Sequence, residues 1–188
     1  MSRRDGLSSP PRTPNQSADE TGMTQNLSPI YREFEVSCSV EHAFDTWTRR
    51  IGLWWPLAGH SVSHEDAASV RIEPVLGGRI IETTRTGKEI VWGTVNQWQP
   101  PSKFGYFWHI GEEGAAEATE VTITFTALDV ERTRVTITHG GWERAGSARG
   151  PKRHANERGW DGVILALTGF ISGSGSSKGK PFPPLEGG

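Results

Sequence analysis

Hydrophobic residues recur along the chain with two different periods, and each change of period marks a new element. Apolar and polar residues alternate from Ile30 to Ser37, which predicts a first β-strand. Apolar residues then fall three and four apart, the spacing of one helix face: Val40, Phe44, Trp47, Ile51 and Trp54. Ser39 precedes this run and is predicted to cap the helix, since its hydroxyl can accept a bond from a free amide of the first turn.

From Ser69 the period becomes two, and it stays so through a series of short segments. Gly77-Gly78 provides the positive φ angles of a tight hairpin, and Pro100-Pro101 ends a longer strand because proline cannot donate to a central ladder. The alternation predicts that Trp92, Thr94 and Asn96 share one face of their strand, as do Phe104, Tyr106 and Trp108 of the next. Consecutive hairpins predict an antiparallel sheet of six further strands.

The last predicted element is a long helix from Lys152 to Ser172. Its apolar face consists of Trp160, Val163, Ile164, Leu167, Phe170 and Ile171. Gly159, Gly162 and Gly169 weaken the helix, which suggests that another part of the chain packs closely against it. Strand, helix, six strands and long helix together predict an α+β fold.

Composition limits how much of the chain this fold occupies. Only 34% of the 188 residues are hydrophobic, and both ends are rich in small and polar residues. We expect a disordered tail over residues 1–28, a folded domain over 29–172 and a second disordered tail over 173–188. Either Met1 or Met23 could be the start of translation, and both are compatible with this division.

Charge and cysteine content exclude several classes of function. A net charge of -2 provides no basic field for nucleic acid or an anionic membrane surface. The single Cys38 cannot form an internal disulfide, and no motif for a metal or a cofactor is evident. No apolar run is long enough to span a bilayer. These features favour a cytoplasmic protein with no resident cofactor.

Short motifs in a fixed order resemble a known family. They include Trp54-Trp55-Pro56, His60-Ser61-Val62, Gly77-Gly78-Arg79-Ile80, Trp92-Gly93, Trp108-His109, Gly141-Trp142-Glu143-Arg144 and Gly159-Trp160-Asp161-Gly162. The set resembles the SRPBCC (START-like) superfamily, in the branch named after the activator of the heat shock protein 90 ATPase. The resemblance implies a helix-grip fold, a curved antiparallel β-sheet wrapped around a long C-terminal α-helix. It also implies an internal cavity, which relatives use to bind lipids, steroids, polyketides or hormones and a minority use for cyclisation or dehydration.

Aromatic residues are the first candidates for the lining of such a cavity, because the chain contains eight tryptophans. Trp92, Trp98, Trp108, Trp142 and Trp160 could stack a flat ligand, although for any one of them core packing is the favoured explanation. Trp92 and Trp108 are the leading candidates. The full set of predicted ligand-binding residues is Trp92, Trp108, Tyr106, Phe125, His139, Trp160 and Ile164.

Titratable residues are candidates for chemistry in the same cavity. His139 continues the inward phase of its strand, where it could contact a ligand, shuttle a proton or serve as an ordinary core residue. Glu73 and Glu82 are either buried acids or partners of Arg71 and Arg79, and the sequence favours ion pairs. The spacing of His60 and His64 in a loop does not indicate a metal site.

Three functions remain open at this point. Binding of a small apolar or aromatic molecule is the first. A module that associates with a chaperone ATPase is the second, and a cyclase or dehydratase that uses His139 or Glu82 is the third. Enzymatic activity is the less favoured outcome, with no catalytic residue assigned, and a homodimer through an exposed strand remains open.

Overall fold

The computed structural model describes residues 27–110 and 116–175. The predicted tails therefore lie outside the described residues, apart from positions 27–28 and 173–175. The strands are β1 (Ile30–Val36), β2 (Ala67–Ile72), β3 (Arg79–Thr84), β4 (Glu89–Gln99), β5 (Lys103–Trp108), β6 (Thr119–Asp129) and β7 (Arg132–Gly140). The α-helices are α1 (Val40–Thr48), α2 (Ile51–Trp54) and α3 (Arg149–Gly175). Segments of 3-10 helix cover His64–Asp66 and Trp142–Ala148.

The seven strands form one antiparallel sheet in the order β1-β7-β6-β5-β4-β3-β2. Each strand from β2 to β6 pairs with the next in sequence, as consecutive hairpins require, and β1 joins the sheet beside β7. The sheet curls into a half-barrel that faces α3. The predicted α+β helix-grip architecture is therefore confirmed.

The core lies on the inner face of the sheet, where alternate residues are buried. In β6, Val121, Ile123 and Phe125 are at most 2% exposed. In β5, Phe104 and Tyr106 are buried whereas Phe107 between Tyr106 and Trp108 is exposed. This confirms the predicted face of β5.

Irregular register in β4 overturns one prediction about its faces. The pairing shifts between Ile80 and Ile81 of β3 and again within β4, after Val95. Trp92 and Val95 are both buried in the core, while the Thr94 hydroxyl pairs with a ring nitrogen of His109 and the Asn96 amide donates to Glu120. The prediction that Trp92, Thr94 and Asn96 share a face is wrong, because an extra residue in a strand reverses the alternation that follows it.

The helices cover the open side of the sheet. The amide of His42 donates to the Ser39 hydroxyl at 3.3 Å, so the predicted cap is confirmed. The first apolar stripe is divided between α1 and α2, and α3 extends beyond the predicted range at both ends. Its residues Trp160, Val163, Leu167 and Ile171 are buried against the sheet side of the core. Within residues 27–110 and 116–175, no helix combines the length and the apolar character that a membrane crossing requires.

Candidate functional site

A cleft of about 240 Å³ opens between the inner face of the sheet and α3. Strands β4, β5 and β7 supply one wall, α3 supplies the opposite wall, and the segment 55–62 that follows α2 closes one side. The lining residues are Trp55, His60, Ser61, Val62, Trp92, Tyr106, Trp108, His139, Ala155, Asn156, Gly159, Trp160 and Val163. The space that these residues enclose is called the cleft below.

Aromatic rings form a continuous wall along the cleft. The Trp92 ring lies 5.6 Å from Trp55 and 5.8 Å from Trp108, measured between ring centroids. Tyr106 contacts Trp108 at 6.2 Å in an edge-on arrangement. Such edge-to-face contacts fix the rings in place while leaving some of their faces free to contact an occupant.

Helix α3 approaches the segment 55–62 through two glycines. The Nε2 atom of His60 donates to the carbonyl oxygen of Gly159 at 3.1 Å. A Cβ atom at Gly162 would lie 2.6 Å from the same Nε2 atom, a distance that real Cβ atoms do not show. The predicted close packing against the glycines of this helix is therefore confirmed at Gly162, and the His60 ring is what packs there.

Glu82 of β3 anchors the same segment from the sheet side. Its carboxylate is fully buried and accepts hydrogen bonds from the amides of Val62 at 2.7 Å and Ser63 at 2.9 Å, from the indole of Trp92 at 2.9 Å and from the Ser63 hydroxyl. Burial alone raises the pKa of Glu82, but the four donors outweigh it and hold the pKa below the usual value. Glu82 is therefore an ionised carboxylate that fixes the position of Val62 and Ser63.

His139 of β7 is held neutral with both ring nitrogens engaged. The indole nitrogen of Trp160 can only donate, so Nδ1 of His139 accepts that bond at 3.2 Å. Nε2 therefore carries the proton and donates to the Thr119 hydroxyl at 2.8 Å. Burial lowers the pKa of His139 to about 3. With both nitrogens engaged, this histidine offers an occupant neither a proton nor a free acceptor.

The structure brings most of the predicted ligand-binding residues together. Trp92, Tyr106, Trp108, His139 and Trp160 line the cleft.

Phe125 and Ile164 lie outside this lining. Phe125 packs against Phe44 and Trp47, and Ile164 is a half-buried residue at the edge of the core. Of the other two tryptophans considered, Trp98 also packs against Phe44.

Trp142 lines a neighbouring cleft of about 360 Å³ instead. That second cleft shares Trp108 and Asn156 with the first and adds the ion pair between Lys152 and Glu117, which lie 2.8 Å apart.

The two glutamates have different environments. Glu73 pairs with Arg79 at 2.7 Å and with Arg71 at 3.3 Å, which confirms the predicted ion pairs and lowers the pKa of Glu73 to about 2. For Glu82 the predicted ion pair is wrong: its partners among the described residues are two amides, an indole and a hydroxyl. A buried carboxylate can be stabilised by convergent N–H and O–H donors without a cation.

Sequence reasoning missed the segment that closes the cleft. Trp55, His60 and Val62 line the cleft, although the sequence places His60 in a loop and none of the three is among the predicted ligand-binding residues. The available signal was the pair Gly159 and Gly162, which indicated a close neighbour but not its identity.

Metal and nucleophile chemistry have little support in the described part of the chain. No group of three or more His, Cys, Asp or Glu side chains there is arranged to hold a metal ion. Burial raises the pKa of Cys38 to about 11, so its thiol is protonated at neutral pH.

Comparison with known proteins places this geometry in context. An anthrahydroquino-γ-pyrone synthase is 28% identical, with a TM-score of 0.56 over 78% of this chain and 97% of its own. The self-sacrificing resistance protein CalC from Micromonospora echinospora is 22% identical, with a TM-score of 0.56 over 80% of this chain and 98% of its own. The Aha1 dimer from Colwellia psychrerythraea is 18% identical, with a TM-score of 0.51 over 76% and 94%. The last two comparisons support the fold alone.

Among curated proteins, none matches this chain. The family model for the Activator of Hsp90 ATPase homolog 1-like protein matches residues 37–171, which include α1, strands β2 to β7 and most of α3. The chain therefore belongs to the family of Activator of Hsp90 ATPase homolog 1-like proteins.

Proposed function

We propose that the cleft is a binding cavity for a small, flat aromatic or apolar molecule. The observation that carries this proposal is the lining itself. Four indole rings and one phenol ring surround an open space between the sheet and α3, belonging to Trp55, Trp92, Trp108, Trp160 and Tyr106. Binding sites for small molecules combine such apolar walls with a few placed polar groups.

The volume of the cleft limits the size of the occupant. A dry cavity of roughly 150 Å³ accommodates one benzene molecule, so a cleft of about 240 Å³ suits two fused rings. The neighbouring cleft, which shares Trp108 and Asn156, offers room for a third ring or a polar substituent. A planar molecule of two or three rings therefore fits the available space.

The comparison with the anthrahydroquino-γ-pyrone synthase supports the same class of ligand. The synthase that is 28% identical is named for an anthrahydroquino-γ-pyrone, a fused aromatic ring system. That name supports a fused aromatic ligand for this chain as well. The word synthase also points to catalysis, but His139 and Glu82, the two candidate acid–base residues, already use their polar atoms inside the fold. Binding is therefore the function that the geometry supports best.

Titration of the full chain with naphthalene tests this proposal, with tryptophan fluorescence as the readout. We expect saturable quenching, because Trp92 and Trp108 lie in the lining. Trp98→Phe is the matched control: it removes an indole that packs against Phe44 and Phe104 outside the cleft, and it should keep the affinity. Absence of saturable binding of naphthalene and of larger fused-ring hydrocarbons would refute the proposal.

Native and denaturing mass spectra of the purified full chain provide a second test. A discrete additional mass under native conditions only, displaced by naphthalene, would identify an occupant acquired in the cell. An additional mass that naphthalene does not displace would place the occupant elsewhere and would count against the cleft.

Association with a chaperone ATPase is the second candidate. The family name favours it, and Val75 and Leu76 provide a specific observation: these adjacent residues at the β2–β3 turn are 56% and 65% exposed. Leu76→Glu should abolish capture of a chaperone ATPase by the immobilised full chain, while Leu165→Glu, at a 74% exposed position on α3, should leave capture unchanged. Equal capture by both variants would contradict docking at this turn.

A further inference from the structure

The imidazole of His60 is held between the segment that closes the cleft and helix α3. Its Nε2 atom lies 3.1 Å from the carbonyl oxygen of Gly159, and its Nε2–Cε1 edge faces Gly162. The backbone carbonyl of His60 accepts a hydrogen bond from the Trp55 indole at 2.8 Å. Both the ring and the backbone of this residue are therefore fixed in orientation.

The bond to Gly159 determines the tautomer of His60. A carbonyl oxygen can only accept, so Nε2 carries the proton. In the neutral ring Nδ1 is then left with a lone pair. The tautomer thus makes Nδ1 a hydrogen-bond acceptor.

That acceptor has no hydrogen-bond partner within residues 27–110 and 116–175. In the same part of the chain, the other buried side-chain atoms in this condition are Thr46 Oγ1 and Asn96 Oδ1, and neither residue lines the cleft. Buried polar atoms in folded proteins nearly always have a partner, because desolvation without one is unfavourable. Nδ1 of His60 is such an atom, and it belongs to a residue that lines the cleft.

Three polar groups of neighbouring lining residues are already engaged within the fold. The Trp92 indole donates to Glu82, the Trp160 indole donates to His139, and the Ser61 hydroxyl donates to the carbonyl of His64. His60 therefore differs from these neighbours in having a spare acceptor beside an apolar space.

We infer that Nδ1 of His60 accepts a hydrogen bond from a hydroxyl group of the bound molecule. The inference rests on the proposed function and narrows it: the ligand class becomes hydroxylated fused aromatics, that is, naphthols and larger phenols, in preference to the bare hydrocarbons. An O–H group supplies the missing donor, while the ring system contacts the indoles.

Two isosteric substitutions separate the two ring nitrogens. In His60→Asn the amide oxygen can occupy the place of Nδ1, so the acceptor is retained while the bond to Gly159 is lost. In His60→Gln the amide nitrogen can reach the place of Nε2, so the bond to Gly159 is retained while the acceptor is lost. Naphthalene and 2-naphthol are the probes, and the ratio of their dissociation constants is the quantity measured on the full chain.

We expect the wild type and His60→Asn to prefer 2-naphthol over naphthalene, and His60→Gln to lose that preference by about five-fold or more. A preference that is unchanged in His60→Gln would overturn the inference, while binding of naphthalene would leave the proposed function standing. Failure of the wild type to bind 2-naphthol would overturn the inference, and failure to bind both naphthalene and the larger fused-ring hydrocarbons would refute the proposed function. Thermal unfolding of each variant, followed by circular dichroism, establishes that the comparison is between folded proteins.

Discussion

Replacement of Glu82 by glutamine provides a sharp test of how the cleft is built. Glu82 is 0% exposed, and each of its carboxylate oxygens accepts from two donors. One oxygen faces the amide and the hydroxyl of Ser63, and the other faces the amide of Val62 and the indole of Trp92. Glutamine would replace one of these acceptors with an NH₂ group, which must then face donors.

The least damaging arrangement places the new NH₂ group beside Ser63, whose hydroxyl can rotate to accept. The amide of Ser63 cannot rotate in the same way, so it loses its partner. One unsatisfied buried donor costs about 1–3 kcal/mol, and the remaining bonds lose their charge assistance. We expect Glu82→Gln to lower the free energy of unfolding by about 2–4 kcal/mol.

Urea denaturation at neutral pH measures this loss, with Glu73→Gln as the matched control. Glu73 follows β2 and is paired with two arginines, but its side chain is 30% exposed and solvent screens the ion pairs. The control should lose no more than about 1 kcal/mol. Equal losses in the two variants would refute the conclusion that buried donors stabilise the Glu82 carboxylate.

The difference in stability between the wild type and Glu82→Gln should also depend on pH. The folded-state pKa of Glu82 lies below its ordinary value of 4.5. The stabilisation that this charge provides is therefore present above pH 4.5 and is lost as pH falls through the lower folded-state pKa. The difference in stability between the wild type and Glu82→Gln should shrink below pH 4.5, and a constant difference would contradict an ionised Glu82.

Three further predictions concern the other residues of the cleft and α3. Protonation of His139 in the unfolded chain should make wild-type stability fall by about 1.4 kcal/mol per pH unit below pH 6.5, and His139→Gln should remove that slope in urea titrations at pH 5–7. Gly169→Ala, where the added Cβ meets nothing within 4 Å, should gain about 0.5–1 kcal/mol, whereas Gly162→Ala should lose stability because it displaces His60; equal effects in thermal melts would contradict the close contact. Trp108→Ala should weaken naphthalene binding by about ten-fold in a fluorescence titration, and unchanged affinity would remove Trp108 from the site.

Much of the fold follows from local pattern, because alternation and helical spacing reflect burial on one face. The six strands from β2 to β7, the Ser39 cap and the apolar face of α3 are all predictable in this way. Alternation fails in β4, where the pairing with β3 shifts between Ile80 and Ile81 and leaves Trp92 as the extra residue, so that Thr94 and Asn96 lie on the face opposite Trp92. A bulge has no periodic signature, so the phase error could not be detected from the sequence.

The candidate site is less predictable, because it depends on contacts between distant parts of the chain. Trp92 and Trp108 could be proposed from aromatic content and strand phase. The role of His60 depends on Gly159, 99 residues away, and that of Glu82 depends on amides 19 and 20 residues before it. Every residue except proline has a backbone amide, so the sequence does not show which amides donate to a buried carboxylate. A glutamate that accepts from amides therefore cannot be distinguished in the sequence from one that pairs with arginine.

The segment 55–62, which closes one side of the cleft, and Ser63 directly after it are anchored from both sides of the core. Glu82 fixes Val62 and Ser63 to the sheet, and Gly159 with Gly162 positions His60 against α3. A wall fixed in this way costs little ordering entropy when a ligand binds, which favours affinity. Both anchors hold one short segment, so loss of the contacts at one anchor should shift the segment and weaken the contacts at the other. The destabilisations caused by Glu82→Gln and Gly162→Ala should then fail to add in the double variant, whereas additive losses would show that the two anchors act independently.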